Sequence, residues 1–154
     1  MLLKNTVVLA VFALSLLIGG CFDHQHVKGY QGPDLLLSEL ATIEINANCY
    51  LEIDSVPIEL PKLGLNDVHV KIKPGIRDIG WSIKPMFCDF YFEKGGTFKV
   101  LAGKAYKVHL RWLEKSFGVA QDSATWLEDM ETKEVMIGLK PDWFDSNKIK
   151  DISF

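Results

Sequence analysis

Four histidines and a scattered set of carboxylates are the side chains of this sequence that could perform acid–base or metal chemistry. His24 and His26 have the His-x-His spacing of a metal-binding pair, but a ligand set needs rigid neighbours to hold it in place. Both lie in a polar segment that predicts a solvated tether, so we expect no metal there. His69 and His109 fall on the polar phase of predicted strands, and we expect them to be exposed sheet residues.

The carboxylates and serines form no recognisable catalytic arrangement. The aspartates lie at predicted strand ends and turns, where Asp side chains bond the backbone: Asp34, Asp54, Asp78, Asp89 and Asp129. No serine stands in a nucleophile elbow. Gly95-Gly96 stands alone and is not part of a phosphate-binding loop. The sequence therefore predicts a protein that is not an enzyme and holds no metal or cofactor. An envelope hydrolase with scattered acids, or a small-ligand binder, is the alternative.

The N-terminus has the pattern of an export signal. Lys4 provides a short basic start, and the twelve residues from Thr6 to Leu17 are apolar except Thr6 and Ser15. A secretory apolar segment is about 7–15 residues long, whereas a membrane-spanning helix needs about 20. We therefore expect residues 1–20 to be a signal peptide.

The end of this segment, Leu17-Ile18-Gly19-Gly20-Cys21, resembles the lipobox of bacterial lipoprotein signal peptides. The resemblance implies cleavage before Cys21 and attachment of lipid, palmitate included, to that cysteine. Two acyl chains already give stable membrane attachment. In Gram-negative lipoproteins an Asp after the cysteine favours the inner membrane, and Phe22 stands there. The resemblance thus implies an outer-membrane protein facing the periplasm. An ordinary secretory signal or an uncleaved anchor helix is the alternative.

The remaining 134 residues are enough for one domain with a sizeable core. Without Lys4 the mature chain has 16 basic and 20 acidic side chains, a net charge of −4. The charges are mixed along the chain, with no basic run, so we expect no nucleic-acid partner.

Two cysteines besides Cys21 are present, Cys49 and Cys88. Disulfides form and persist in the periplasm, so an even pair in an exported domain predicts a Cys49–Cys88 bond. Two buried thiols acting as small hydrophobic side chains are the alternative.

Short alternating runs dominate the mature chain. Apolar and polar residues alternate over Val68–Ile72 and Tyr106–Trp112, the period of a half-buried strand, and Pro57 marks Val56–Leu60 as an edge strand. Turns are predicted at Pro74-Gly75, Gly95-Gly96 and Ala102-Gly103. We therefore predict an all-β fold, an antiparallel β-sandwich of about 8–10 short strands over residues 39–138. A tether (21–38) precedes it, a polar loop is expected at 114–123, and a tail (139–154) follows.

Six short segments together resemble a diffuse group of small proteobacterial lipoproteins: Tyr30–Pro33, Leu40–Ile43, Leu51–Asp54, Val70–Gly75, Ala102–Tyr106 and Trp126–Asp129. Ser55 replaces the glycine that this group has after Asp54, and Arg77 stands where a histidine is usual. The resemblance implies a β-sandwich and an envelope location, and no particular activity.

The expected function is therefore that of a non-catalytic lipoprotein of the cell envelope. Its β domain would be tied to the membrane through Cys21 and would dock on a protein or cell-wall partner. Aromatic residues such as Phe98 and Trp126 are expected mainly in the core, with a partner surface as the alternative.

Overall fold

The computed structural model describes residues 26–61, 67–83, 92–116, 119–142 and 144. Within them the chain forms a two-layer all-β sandwich, which confirms the predicted fold class. Besides a 3₁₀ turn at Leu37–Glu39, ten strands are found in these ranges: β1 (His26–Lys28), β2 (Ala41–Asn46), β3 (Tyr50–Ile53), β4 (Val56–Ile58), β5 (Asp67–Ile72), β6 (Gly75–Ile83), β7 (Phe92–Val100), β8 (Ala105–Ser116), β9 (Val119–Asp129) and β10 (Val135–Gly138).

The larger sheet has the strand order β1-β5-β2-β8-β9-β10. Its pairs are antiparallel except β1 with β5 and β2 with β8, which run parallel. A parallel pair cannot be joined by a tight turn and needs a long crossover. Between β2 and β8 the chain builds the whole of the second sheet and passes through β5, which provides that crossover.

The smaller sheet has the order β4-β3-β6-β7 and is antiparallel throughout. Its first hairpin, β3–β4, turns at Asp54 and Ser55, whose φ angles are 52° and 64°. The left-handed region favours glycine because a Cβ is crowded there. Asp54 and Ser55 therefore adopt a backbone conformation that glycine would adopt at lower cost.

The core lies between the two sheets. Alternate side chains of β2 and β5 are buried, among them Ile43, Ile45 and Val70, each no more than 2% exposed. They face Leu51, Ile79 and Trp81 from the smaller sheet, and each layer thus has the one-sided burial expected for a sandwich. The Trp81 indole N–H donates to Thr125 Oγ1 at 2.7 Å, which links the two layers by a hydrogen bond inside the core.

The two long sides of the sandwich differ. On one side β7 packs against β9 and β10, and a Cβ on Gly96 would already touch Ile137 at 3.4 Å. On the other side the edge strands are β1 and β4, and a cleft lies between them. The sandwich is therefore closed on the β7–β10 side and open on the β1–β4 side.

The sheet reaches further toward the N-terminus than the predicted boundary at residue 39. His26–Lys28 pair with β5, and the Gly29 N–H donates to the Lys71 carbonyl at 2.8 Å. A Cβ at Gly29 would come within 2.6 Å of Val70, so the close approach of the two strands requires glycine. A three-residue edge strand shows no alternation, which is why the sequence pattern did not reveal it.

The predicted polar loop at 114–123 is wrong. β8 continues to Ser116, β9 restarts at Val119, and the two pair antiparallel along their whole length with register shifts around Glu114. The ladder is made by backbone groups, so a hairpin can run on through a segment whose side chains do not alternate.

Candidate functional site

A cleft of about 520 Å³ opens between the sheets on the β1–β4 side. One wall is β1 and the loop after it, and the other is the β3–β4 hairpin. Lys73 from the β5–β6 turn and Arg77 from the start of β6 complete the lining. Proteins bind small molecules in clefts of about 300–1,000 Å³. The cleft between β1 and β4 therefore has the size of an ordinary ligand site.

Two lysines meet at the ring of Tyr30 in this cleft. The Nζ atoms of Lys28 and Lys73 lie 4.8 Å and 5.3 Å from the ring centroid. Lys28 also donates to the Gly32 carbonyl at 2.6 Å, and Lys73 to the Gln31 carbonyl at 3.0 Å. An aromatic face attracts a cation, so the loop after β1 collects two positive charges at one place.

The carboxylate that pairs with Lys28 stands in water. Asp34 Oδ1 is 2.8 Å from Lys28 Nζ, and the Asp34 side chain is 93% exposed. The hydrogen bond between them raises the pKa of Lys28 and lowers that of Asp34. Exposed pairs of this kind contribute little to stability, so another anion can replace Asp34 beside Lys28.

Arg77 supplies the third cation of the cleft and is tied down more firmly. Its NH1 donates to Asp54 Oδ2 at 2.7 Å, and its Nε and NH2 donate to the carbonyls of Lys73 and Pro74. Asp54 in turn accepts the Asp78 N–H at 3.0 Å. Asp54, predicted as a turn residue, thus fastens the β3–β4 hairpin to β6 and orients Arg77.

Besides Glu59 and Gln31, the rest of the cleft wall is apolar. Val27 on β1 faces Ile53, Val56 and Ile58 of the hairpin. Val56 remains 43% exposed, whereas Ile53 is 5% exposed and belongs to the core. The cleft therefore combines a charged rim with an apolar interior, as ligand sites commonly do.

His69 lies in a polar group on the outer face of the larger sheet. Its Nε2 is 3.8 Å from Glu44, its ring is 5.6 Å from the ring of His26, and its side chain is 22% exposed. Lys107 beside it bonds Glu44 and Asp67. Burial opposes the charge on Lys107, but these two bonds outweigh it and raise its pKa. The expectation of an exposed His69 is wrong, because its ring lies near Glu44 and is partly covered.

His109 is also not an exposed sheet residue. Its side chain is 11% exposed, and its ring stacks on the Trp126 indole with centroids 4.8 Å apart and planes 15° apart. Phe144, from the chain beyond β10, packs edge-on against Trp126 at 5.0 Å. The C-terminal segment therefore covers a part of the sheet that the sequence pattern assigned to solvent.

Glu128 is the buried carboxylate of this covered cluster of His109, Trp126, Glu128, Lys140 and Phe144. Lys140 Nζ lies 3.1 Å from Glu128 Oε2, and the Trp126 N–H donates to the same oxygen at 3.4 Å. Burial opposes the charge, but these bonds outweigh it and lower the pKa of Glu128. Glu128 is thus a buried ion held by two donors.

The imidazole of His109 has no such partner. Both ring nitrogens are buried without a hydrogen bond among the described residues, and Nε2 is 3.7 Å from Glu128. Burial lowers the pKa of His109 to about 4, against the opposing charge of Glu128. The ring is therefore neutral at neutral pH and acts as an aromatic packing surface on Trp126.

The outer face of the smaller sheet forms a second, shallow concavity. Gly80 faces Gly95 across β6 and β7, so no side chain fills the middle of this face. Tyr50, half exposed, borders it and donates its hydroxyl to Glu52 at 3.0 Å. It is an open surface, bordered by the side chains of Tyr50, Glu52 and Lys94.

The predicted sites on cysteine are only partly within the described residues. Cys21, the predicted lipid site, and Cys88 lie outside them, as does His24 of the His-x-His pair. Cys49 is buried, and burial raises the pKa of its reduced thiol to about 12, with the charge of Asp67 adding to the effect. The Cys49–Cys88 bond stays a prediction.

No protein-family model, curated protein or solved structure matches this chain. Within the described ranges, no group of three or more His, Cys, Asp or Glu side chains is placed to hold a metal ion. The same part of the chain contains no helix with the length and apolar character needed to span a bilayer.

The cationic residues of the cleft were not identified as a site from the sequence. Lys28 and Lys73 are 45 positions apart and come together only because β1 pairs with β5, with Lys28 opposite Lys71. The chain offers no local signal for that pairing. The one available hint was Tyr30, which the lipoprotein resemblance includes.

Proposed function

We propose that this chain is a lipid-anchored protein of the cell envelope whose β-sandwich is a non-catalytic binding domain. The lipid would be carried by Cys21 after removal of residues 1–20, and the membrane would be the outer membrane, with the domain facing the periplasm. An envelope protein or the cell wall would be the partner of the domain.

The observation that carries this proposal is the lipobox-like end of the apolar segment at Leu17–Cys21. The short distance along the chain between Cys21 and the sandwich shows what such an anchor would do. β1 begins at His26, so only Phe22–Gln25 separate the predicted lipid site from the first strand. An extended chain spans at most about 3.5 Å per residue, roughly 17 Å over these five steps. A lipid on Cys21 would hold the β1 side of the domain close to the membrane surface.

The surroundings of the two strand histidines support a binding role over a hydrolytic one. General acid–base catalysis needs a titratable group within hydrogen-bond reach of its partner and a pKa near the working pH. His69 Nε2 lies 3.8 Å from Glu44 and His109 Nε2 lies 3.7 Å from Glu128, both beyond ordinary hydrogen-bond length. His109, with its pKa near 4, is used as a packing surface.

A small-ligand binder is the second candidate, and the cleft between β1 and β4 favours it. The cleft has the volume and the mixture of apolar wall and charged rim that ligand sites share. This role is compatible with a lipid anchor, because the cleft lies beside β1.

The anchor is tested by labelling cells with a palmitate analogue. We expect the wild-type protein and a Cys49→Ser control to take up label and to sediment with outer-membrane fractions. Cys21→Ser removes the acceptor thiol and should abolish labelling. Equal labelling of wild type and Cys21→Ser, or no label on the wild type, would sink the proposal.

A further inference from the structure

We propose that the cleft between β1 and β4 binds the anionic phosphate headgroup of a membrane lipid. The chemistry of the ligand is read from the side chains of the cleft. That the phosphate belongs to a lipid rests on the proposed function, because the anchor at Cys21 places the cleft beside the membrane.

Charged side chains of both signs line the cleft. Three cations line it, Lys28, Lys73 and Arg77, against two carboxylates, Asp54 and Glu59. Asp54 is engaged with Arg77 and with the backbone of β6. The lining alone thus has three cations and two carboxylates, and the exposed Asp34, which pairs with Lys28 at 2.8 Å, balances the third cation from outside the cleft.

The two lysines of the cleft have hydrogen-bond donors to spare. An ammonium group has three N–H donors. In the described structure Lys73 uses one, toward the Gln31 carbonyl, and pairs with no carboxylate. Lys28 uses two, of which one goes to the exposed Asp34. A phosphate at the Tyr30 loop would take the remaining donors and displace Asp34 into water, where that carboxylate is already 93% exposed.

The apolar wall distinguishes a lipid from a bare ion. Val27, Val56 and Ile58 stand beside the cations, and Val56 is 43% exposed. A free phosphate would leave this surface in contact with water. The glycerol and the first carbons of an acyl chain would cover it and remove it from water, which favours binding.

The cleft lies close to Cys21 along the chain. Lys28 is seven residues from Cys21, so its backbone lies within about 25 Å of the anchored residue even if the connection is fully extended. Basic groups held near a membrane surface are attracted to anionic lipids by about 1 kcal/mol each. The cleft is therefore placed where phosphate headgroups are concentrated.

The test is a calorimetric titration of the full-length mature protein in a non-ionic detergent. The probe is dihexanoyl phosphatidylglycerol, the zwitterionic comparison is dihexanoyl phosphatidylcholine, and inorganic phosphate is the third arm. We expect dihexanoyl phosphatidylglycerol to bind about tenfold more tightly than dihexanoyl phosphatidylcholine or inorganic phosphate. Lys73→Gln should weaken its binding about fivefold, and Lys28→Gln with Lys73→Gln about thirtyfold, for one and two lost charges.

Lys99→Gln is the matched control, because Lys99 is an exposed lysine of β7 that does not line the cleft. An equal loss for Lys99→Gln and Lys73→Gln would mean diffuse charge attraction and would overturn the site. If phosphatidylcholine bound as tightly as phosphatidylglycerol, the cleft would not recognise an anion. If inorganic phosphate bound as tightly or more tightly, the ligand would not be a lipid. If the double variant does not fold, Lys73→Gln alone is the test, because a glutamine at position 73 can still donate to the Gln31 carbonyl. A failed palmitate label with intact lipid binding would refute the anchor alone.

Discussion

The cleft between β1 and β4 and the covered cluster around His109 use similar residues in opposite ways. The cleft places Lys28 and Lys73 at the ring of Tyr30. The covered cluster places Lys140 at Phe144, with Nζ 5.0 Å from the ring centroid. In the cleft the cations face an open space. In the covered cluster Lys140 belongs to the C-terminal segment, which lies over His109 and Trp126, and Glu128 is 4% exposed.

The difference shows that a group of charged residues on a β-sandwich is available to a ligand only if no segment of the chain covers it. At the covered cluster the protein's own Lys140 and Phe144 occupy the position that a ligand would take. At the cleft, the neighbouring edge strands β1 and β4 are three residues each and leave the interior wall in part exposed. We therefore expect substitutions in the cluster to change stability, and those in the cleft to change binding.

The largest effect is expected for Trp126→Ala. Trp126 is fully buried between His109 and Phe144. Removing a buried aromatic side chain costs about 3–5 kcal/mol, and here Glu128 also loses a donor. Val56→Ala in the cleft wall removes less, from a half-exposed side chain, and should cost under about 1 kcal/mol. Urea unfolding of both variants measures this, and equal losses would contradict the contrast between the two regions.

A smaller effect is expected from the pH. The pKa of His109 falls to about 4 in the folded protein from an ordinary 6.5. The unfolded chain therefore binds a proton first, so the stabilisation is complete above pH 6.5 and is lost as the pH falls. The loss between pH 6.5 and 4.5 should be about 2 kcal/mol, and Glu128, with a lowered pKa, contributes below that window.

His109→Phe isolates this effect, because it keeps a ring against Trp126 and removes the titration. Urea unfolding at pH 6.5 and 4.5 should show a smaller decrease for His109→Phe than for the wild type, by the same 2 kcal/mol or so. The other histidines are common to both proteins and cancel. Parallel decreases would mean that His109 is protonated in the folded state.

The sequence was sufficient to predict the sandwich and much of its core. The alternation at Val68–Ile72 places Val68, Val70 and Ile72 inward, and all three are buried. The turns at Pro74-Gly75 and Ala102-Gly103 and the edge position of β4 are confirmed. The predicted turn at Gly95-Gly96 is wrong, because both glycines lie inside β7 and pair with β6. The confirmed features depend on local chemistry, namely the period of two, Pro and Gly, and local chemistry is visible in a sequence.

The two regions compared here were not predictable in the same way. His109 lies on the polar phase of β8, and its burial results from Phe144, 35 positions later, folding over it. The cleft depends on the parallel pairing of β1 with β5, which brings Lys28 near Lys73. Both arrangements join distant parts of the chain through contacts that leave no periodic signal.

The smallest effect is expected at the open edge itself, for Pro57→Ala. Asp54 and Ser55 form a two-residue turn, so Ile53 and Val56 are the hydrogen-bonded pair and the nitrogen of residue 57 points away from β3. An edge strand with free donors invites pairing with another chain, and proline removes the donor at this point. We expect Pro57→Ala to lower the free energy of unfolding by only about 0.4–1 kcal/mol and to raise self-association about fivefold per new hydrogen bond. Analytical ultracentrifugation measures the association, with Val56→Ala as the control because the N–H of residue 56 faces β3. Unchanged association of Pro57→Ala would mean that Pro57 does not protect the edge of β4 from pairing with another chain.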